Sequence, residues 1–161
     1  MVKLYNFTPG RICYHEAWLH DDVVVEHWGE LGKRGETREH PADPTLDEAA
    51  NLERVLGESR PYGFKAISDD DHRSVVIEYP LDSWGSPNDL ERRHAIEDRV
   101  NELLGWTGLG RCDGGSIGSG TMEVSCVVVD AEIAIDVLRR NLTGAITGGH
   151  TRIYEIAEDT D

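Results

Sequence analysis

Arg11-Ile12-Cys13-Tyr14-His15-Glu16-Ala17-Trp18-Leu19, then His20-Asp21-Asp22, then Val23-Val24-Val25-Glu26-His27-Trp28, reads as a β-hairpin. Successive side chains of a strand point to opposite faces, so Ile12, Tyr14 and Trp18 share one face and Cys13, His15 and Ala17 the other. The central triplet is a tight turn, and the β-branched run after it is the returning strand. Upstream, Lys3 to Phe7 is a short apolar-aromatic strand that ends at the turn residues Thr8-Pro9-Gly10. Downstream, Gly29 to Gly35 holds three glycines and must bend, because glycine adopts positive φ at no steric cost. Glu36 to His40 gives another short strand.

A helix follows a loop from Pro41 to Pro44. Thr45 and Glu48 have the spacing of a capping box, which satisfies two amide donors at the helix start. Leu46, Ala49, Ala50, Leu52, Glu53, Val55 and Leu56 carry an apolar stripe of helical period. Gly57 and Pro61 are the stop signals. Gly63 to Ile67 reads as a closing strand. These elements make a small antiparallel sheet with one helix over residues 1–68.

The acidic run Ser68-Asp69-Asp70-Asp71-His72 marks a boundary. Beyond it, residues 72–157 read β-α-β-β-α-β. The strands are Ser74–Tyr79, Gly108–Cys112, Thr121–Val129 and Thr151–Ile156. One helix is capped by Asn88 or Asp89 and buries Ile96, Val100, Leu103 and Leu104. The other is capped by Asp130 and buries Ile133, Ile135, Val137, Leu138 and Leu142. By element order alone this second module resembles a ferredoxin-like domain, with two helices on one face of an antiparallel sheet. The fold class is α+β in two modules.

The chain has 161 residues, 39% hydrophobic and 29% charged, which suits packed cores and excludes general disorder. Sixteen Lys and Arg oppose 31 Asp and Glu, a formal charge of −15. That excess repels phosphate backbones and speeds encounter with cationic partners, although net charge argues solubility before it argues function. The opening residues lack the apolar core of a secretion signal, and no stretch approaches the ~20 apolar residues of a membrane span. A cytoplasmic location is expected. Cys13, Cys112 and Cys126 are odd in number and widely spaced, so no disulfide framework is implied.

At Trp28-Gly29-Glu30 the first module resembles the WGR domain, known beside the catalytic domain of nuclear poly(ADP-ribose) polymerases and in bacterial proteins. The resemblance covers roughly residues 3 to 67. It rests on the Trp-Gly step ending a strand, the turn Gly32-Lys33-Arg34-Gly35, the following Glu36-Thr37 strand and the helix beyond. It implies a nucleic-acid-binding surface built on Trp28, Lys33, Arg34 and Arg38. The name-giving arginine is replaced by Glu30, and a carboxylate there repels phosphate. Ordinary core packing of Trp28 and ordinary solvation of the turn cations are the plainer readings of the same residues.

Other candidates carry less chemistry. The run from Asp113 to Gly120, with Gly115, Ser116, Gly118 and Ser119, reads as a flexible recognition loop or as a bulged hairpin. It has no P-loop lysine, and a strand, not a helix, follows the glycines. The serines lack the strand-to-helix elbow of a hydrolase nucleophile. His15, His20, His27 and His40 crowd the first sheet, and His15 and His27 fall on adjacent strands near Cys13. Nevertheless, no zinc-type spacing joins them, so no metal and no cofactor is expected. Asp69-Asp70-Asp71 lacks the alternation of a calcium loop, and the tail with Glu155, Glu158, Asp159 and Asp161 reads as solvated, frayed charge. Trp84 and Trp106 fall at loop corners and read as lids over a small core or as binding positions, where Trp is enriched.

The sequence therefore points to a non-enzymatic acidic binding protein. Its expected partner is a protein with a basic surface, for example a nuclease-like toxin that the chain would inhibit as an immunity protein does. The alternatives are a WGR-like module on nucleic acid, and a small-ligand or enzymatic domain that uses the 113–120 segment.

Overall fold

The computed structural model describes residues 1–82 and 84–156, so most of the acidic tail lies outside the described residues. The chain divides into two compact units, Met1–Asp69 and Asp70–Asp161. Each carries a four-stranded antiparallel sheet, and among the described residues there are three α-helices, so the fold is mixed α+β. No described helix is long and apolar enough to cross a membrane.

The first sheet is a meander, β1 (Val2–Thr8), β2 (Arg11–His20), β3 (Val23–Glu30) and β4 (Glu36–Pro41), each strand paired with the next. The two-residue turn at Asp21-Asp22 sets the β2–β3 register, with His20 opposite Val23 and His15 opposite Trp28. Asp21 takes φ +53°, the left-handed conformation that an aspartate tolerates in such a turn. Helix α1 (Glu48–Leu56) buries Leu52 and Leu56 on Leu4, Ala17 and Val24 at one end of the sheet.

The capping of α1 differs from the sequence expectation. Asp47, not Thr45, is the N-cap, and its carboxylate accepts the Ala50 N–H at 2.8 Å. Thr45 is already held by Asp43 through both its N–H and its hydroxyl. Buried Asn51 fixes the approach loop. Its Oδ1 accepts the Asp43 N–H at 2.8 Å, and its Nδ2 donates to the carbonyls of Asp43, Leu46 and Asp47. After α1 the chain makes a 3₁₀ turn, Gly57–Tyr62, with Pro61 inside it. The expected closing strand reduces to one bridge, Lys65 with Tyr5.

In the second unit β5 (Arg73–Pro80) leads through α2 (Pro87–Trp106) to the hairpin β6 (Gly110–Gly118) and β7 (Thr121–Val128). Helix α3 (Ala131–Asn141) and β8 (Arg152–Glu155) follow. Strand order is β6-β7-β5-β8. Val75, Ile77 and Tyr79 of β5 lie opposite Cys126, Val124 and Met122 of β7, and this buried face receives both helices. Ser86 caps α2, one turn before Asp89, and the two form the capping box. Trp84 is 81% exposed, so it is no lid over the core.

The glycine-rich segment takes the second of its two expected forms, a bulged hairpin, with β6 running on past the expected end at Cys112. Residues 113–118 belong to β6; Gly114 to Gly118 pair with β7, and Asp113 is left out of register at the bulge between Cys112 and Gly114. Only Ser119 and Gly120 turn, both at positive φ. A Cβ on Gly115 would meet the Glu123 carbonyl and the side chains of Glu97 and Arg93, so the strand needs glycine where α2 crosses it.

Candidate functional site

Registers in the first sheet place Cys13 and His15 of β2, Glu26, Trp28 and Glu30 of β3, and Glu36, Arg38 and His40 of β4 on one face. This is the face whose far end α1 covers. The open end is a groove of ≈ 670 Å³ whose lining includes Trp28, Arg38, Lys33, Arg34, Arg11 and Phe64. Trp28, Lys33, Arg34 and Arg38, separated by up to ten positions in sequence, therefore border one space.

The Arg38 guanidinium lies over the Trp28 ring, 5.3 Å from its centroid. A planar cation on an indole face is attracted by the ring quadrupole and shields one side of it. Glu30 pairs with Lys33 at 2.8 Å and with Arg11 at 3.6 Å. The Lys33 contact is the chief reason its carboxyl sits below the ordinary range. Glu30 thus acts as an internal counter-ion for two groove cations.

Deeper in the groove Glu26 bridges two histidines. His15 Nε2 is 2.8 Å from Oε1 and His40 Nε2 is 2.7 Å from Oε2. Burial opposes ionisation of Glu26, but the two histidine contacts outweigh it and hold the carboxyl below its usual range. His15 also meets Phe64 edge-on at 6.0 Å. The nitrogens that a metal would use face the carboxylate, and among the described residues no group of His, Cys, Asp and Glu has the arrangement to hold a metal ion.

The opposite face of the sheet carries a buried polar chain. Lys3 Nζ lies 2.8 Å from Glu16 Oε2, Glu16 Oε1 is 2.6 Å from His27 Nδ1, and His27 Nε2 is 3.1 Å from the Tyr14 hydroxyl. His27 is therefore on the other face from His15, and the two do not converge. Burial opposes ionisation of Glu16, but His27 and Lys3 overcome it and keep the carboxyl low. For Tyr14, burial first and the Glu16 charge second push the hydroxyl pKa up, the reverse of what an activated nucleophile needs. The chain Glu16–His27–Tyr14 holds the groove's frame: Tyr14 reaches the backbone of the turn after β3, at Lys33 and Gly35.

Gly29 and Gly35 have a packing reason. A Cβ on Gly29 would lie 2.9 Å from the Tyr14 hydroxyl and 3.0 Å from Gly35 Cα. A Cβ on Gly35 would overlap the Tyr14 hydroxyl and the Trp28 carbonyl and come within 2.7 Å of His27 Nε2. Bare backbone at both positions lets the turn fold down against Tyr14 and present Lys33 and Arg34 beside Trp28.

The segment in the second unit converges less. Asp113, Gly115, Ser116 and Gly118 are strand positions, Ser119 is the turn, and Ser116 Oγ donates to Glu123 at 3.3 Å. Sequence reasoning missed the grouping of Glu26 with His15 and His40, and the roles of Arg11 and Phe64. The signal was available in part: period-two alternation puts Glu26 beside Trp28, and the Asp21-Asp22 turn puts His15 next to both. No family model, no curated protein and no solved structure matches the chain.

Proposed function

We propose that the chain is a non-enzymatic binding protein whose first unit is WGR-like and takes the end of a nucleic acid in the Trp28 groove. The observation that carries this reading is the Arg38–Trp28 stack flanked by Lys33, Arg34 and Arg11. The first unit holds eight of the chain's 16 Lys and Arg and 13 of its 31 Asp and Glu. Half of those cations line the groove, against only Glu26, Glu30 and Glu36 of the acids. Glu26 is further engaged by two histidines. A terminal base would stack on the indole, where a flat aromatic surface contributes without regard to sequence. The rim cations would pair with phosphates once Glu30 releases them, so affinity depends strongly on salt. Screening over about 8 Å in physiological salt keeps the global negative charge from dominating at contact. The test is competition between a blunt duplex and a covalently closed circle of the same sequence. Preference for the duplex with ends supports the reading, and equal competition or no binding refutes it.

A second reading is favoured by the remaining charge. The second unit carries 18 Asp and Glu against eight Lys and Arg. Its strand order, fourth-first-third-second from the β8 edge, supports the ferredoxin-like assignment. Such a fold hosts many functions, so the argument rests on the acid excess. In this reading the second unit docks on a basic protein surface, as an inhibitor of a cationic toxin would. Affinity capture at near-physiological salt tests it: a cationic partner released by high salt supports it, and recovery of none rejects it.

A further inference from the structure

Cys112 of β6 and Cys126 of β7 lie directly opposite one another in the second sheet. Paired residues of antiparallel strands share a face, and Cys126 alternates with Val124 and Val128 on the side that the helices cover. The Cys112 N–H is donated away from β7, to Asn101 Oδ1 of α2 at 3.2 Å. Three positions back along the ladder, the Val129 N–H donates to the Leu109 carbonyl at 2.8 Å. Alternation of the ladder then makes Cys112 and Cys126 a non-hydrogen-bonded pair. In such pairs the Cα atoms stand about 4.5 Å apart, the closer of the two antiparallel spacings. That lies inside the roughly 4.4–6.8 Å that a disulfide spans. Both thiols are free, Cys112 partly exposed and Cys126 buried. The bulge that follows Cys112 gives β6 room to adjust its side-chain direction.

We propose that Cys112 and Cys126 form a redox-active dithiol that closes to an intramolecular cross-strand disulfide when it meets a small-molecule disulfide such as oxidised glutathione. Cys112, the accessible thiol, loses its proton to solvent and attacks one sulfur of the oxidised glutathione. The S–S bond breaks and one glutathione leaves as a thiolate, giving a mixed disulfide at Cys112. Cys126 then loses its proton and attacks the Cys112 sulfur, and the second glutathione leaves. Two protein thiols are oxidised, and one glutathione disulfide is reduced to two thiols. Burial raises the pKa of both cysteines, so the closure is slow at neutral pH and accelerates as pH rises. Cys13 has no cysteine opposite it, its partners being Asn6 and Glu30, and is the internal control.

The test treats the intact, reduced chain with oxidised glutathione and follows three readouts. Under denaturing conditions at most one thiol, that of Cys13, should remain, and non-reducing peptide mapping should find Cys112 joined to Cys126, with Cys13 either free or carrying glutathione. Cys112→Ser, at the partly exposed position, should retain both of its remaining thiols apart from glutathione adducts that dithiothreitol removes. A stable glutathione adduct on wild-type Cys112 without closure would overturn the proposal. So would cross-linking through Cys13, or three unreacted thiols after prolonged exposure at pH 8.5.

Discussion

Replacing Gly35 with alanine tests the frame of the groove. A methyl group there would overlap the Tyr14 hydroxyl and the Trp28 carbonyl and crowd His27 Nε2. Two of these neighbours cannot retreat, one being backbone and the other a buried ring held on its far side by Glu16. Overpacking of this kind costs about 1–3 kcal/mol. Displacing the Tyr14 hydroxyl from His27 adds about 1–2 kcal/mol for disturbing a buried hydrogen bond. A total near 3 kcal/mol would lower the midpoint of a unit this size by more than about 10 °C. Tyr14→Phe removes the first obstacle and should itself cost about 1–2 kcal/mol. Because both changes act through one hydroxyl, the double variant should be less destabilised than the separate costs added, by about 1 kcal/mol. Thermal and urea unfolding of the first unit, followed by near-ultraviolet circular dichroism, reads all three. Gly35→Ala within about 0.5 kcal/mol of wild type, or strict additivity with Tyr14→Phe, would refute the packing argument.

Glu30→Gln frees Lys33 and Arg11 from their internal counter-ion, so duplex affinity at low salt should rise several-fold, read by fluorescence anisotropy. Glu16 has a folded-state pKa below its unfolded value. Its contribution to stability is therefore complete above the unfolded carboxylate range and is lost as pH falls through the lower folded value. Glu16→Gln should flatten that acid limb in an unfolding series from pH 7 to pH 3. Asn51→Ala strips four hydrogen bonds from the loop before α1 and should cost about 1–3 kcal/mol by chemical denaturation.

The first sheet was readable because its alternation is strong and its turn is short: Ile12, Tyr14 and Trp18 opposite Cys13, His15 and Ala17 leaves one register, and Asp21-Asp22 closes it. The start of α1 was misplaced because Thr45 and Asp47 are both good caps. Sequence does not reveal that Asp43 has already taken the Thr45 hydroxyl. Ser86 was overlooked for a similar reason, since Asp89 is a plausible cap until its carboxylate is seen turning back to Ser86. The bulged hairpin at 113–120 was legible as one of two readings, but not the reason for Gly115, which is small to admit Arg93 and Glu97 of α2, a long-range packing demand with no local signature. The groove itself was half legible. Its cations and tryptophan could be named from the turn, but the pairing of Glu30 with Arg11 and the Glu26 bridge depend on side chains meeting across strands.

The salt dependence of binding tests the central claim most directly, because it counts groove cations that meet phosphates. Affinity for a short blunt duplex should be measured from about 25 to 200 mM salt for wild type, Lys33→Ala, Arg34→Ala and Arg38→Ala. The account predicts that each substitution lowers the slope of log affinity on log salt by about 0.9, the value for one lost phosphate contact on duplex DNA. Slopes that stay at the wild-type value in all three variants would contradict it.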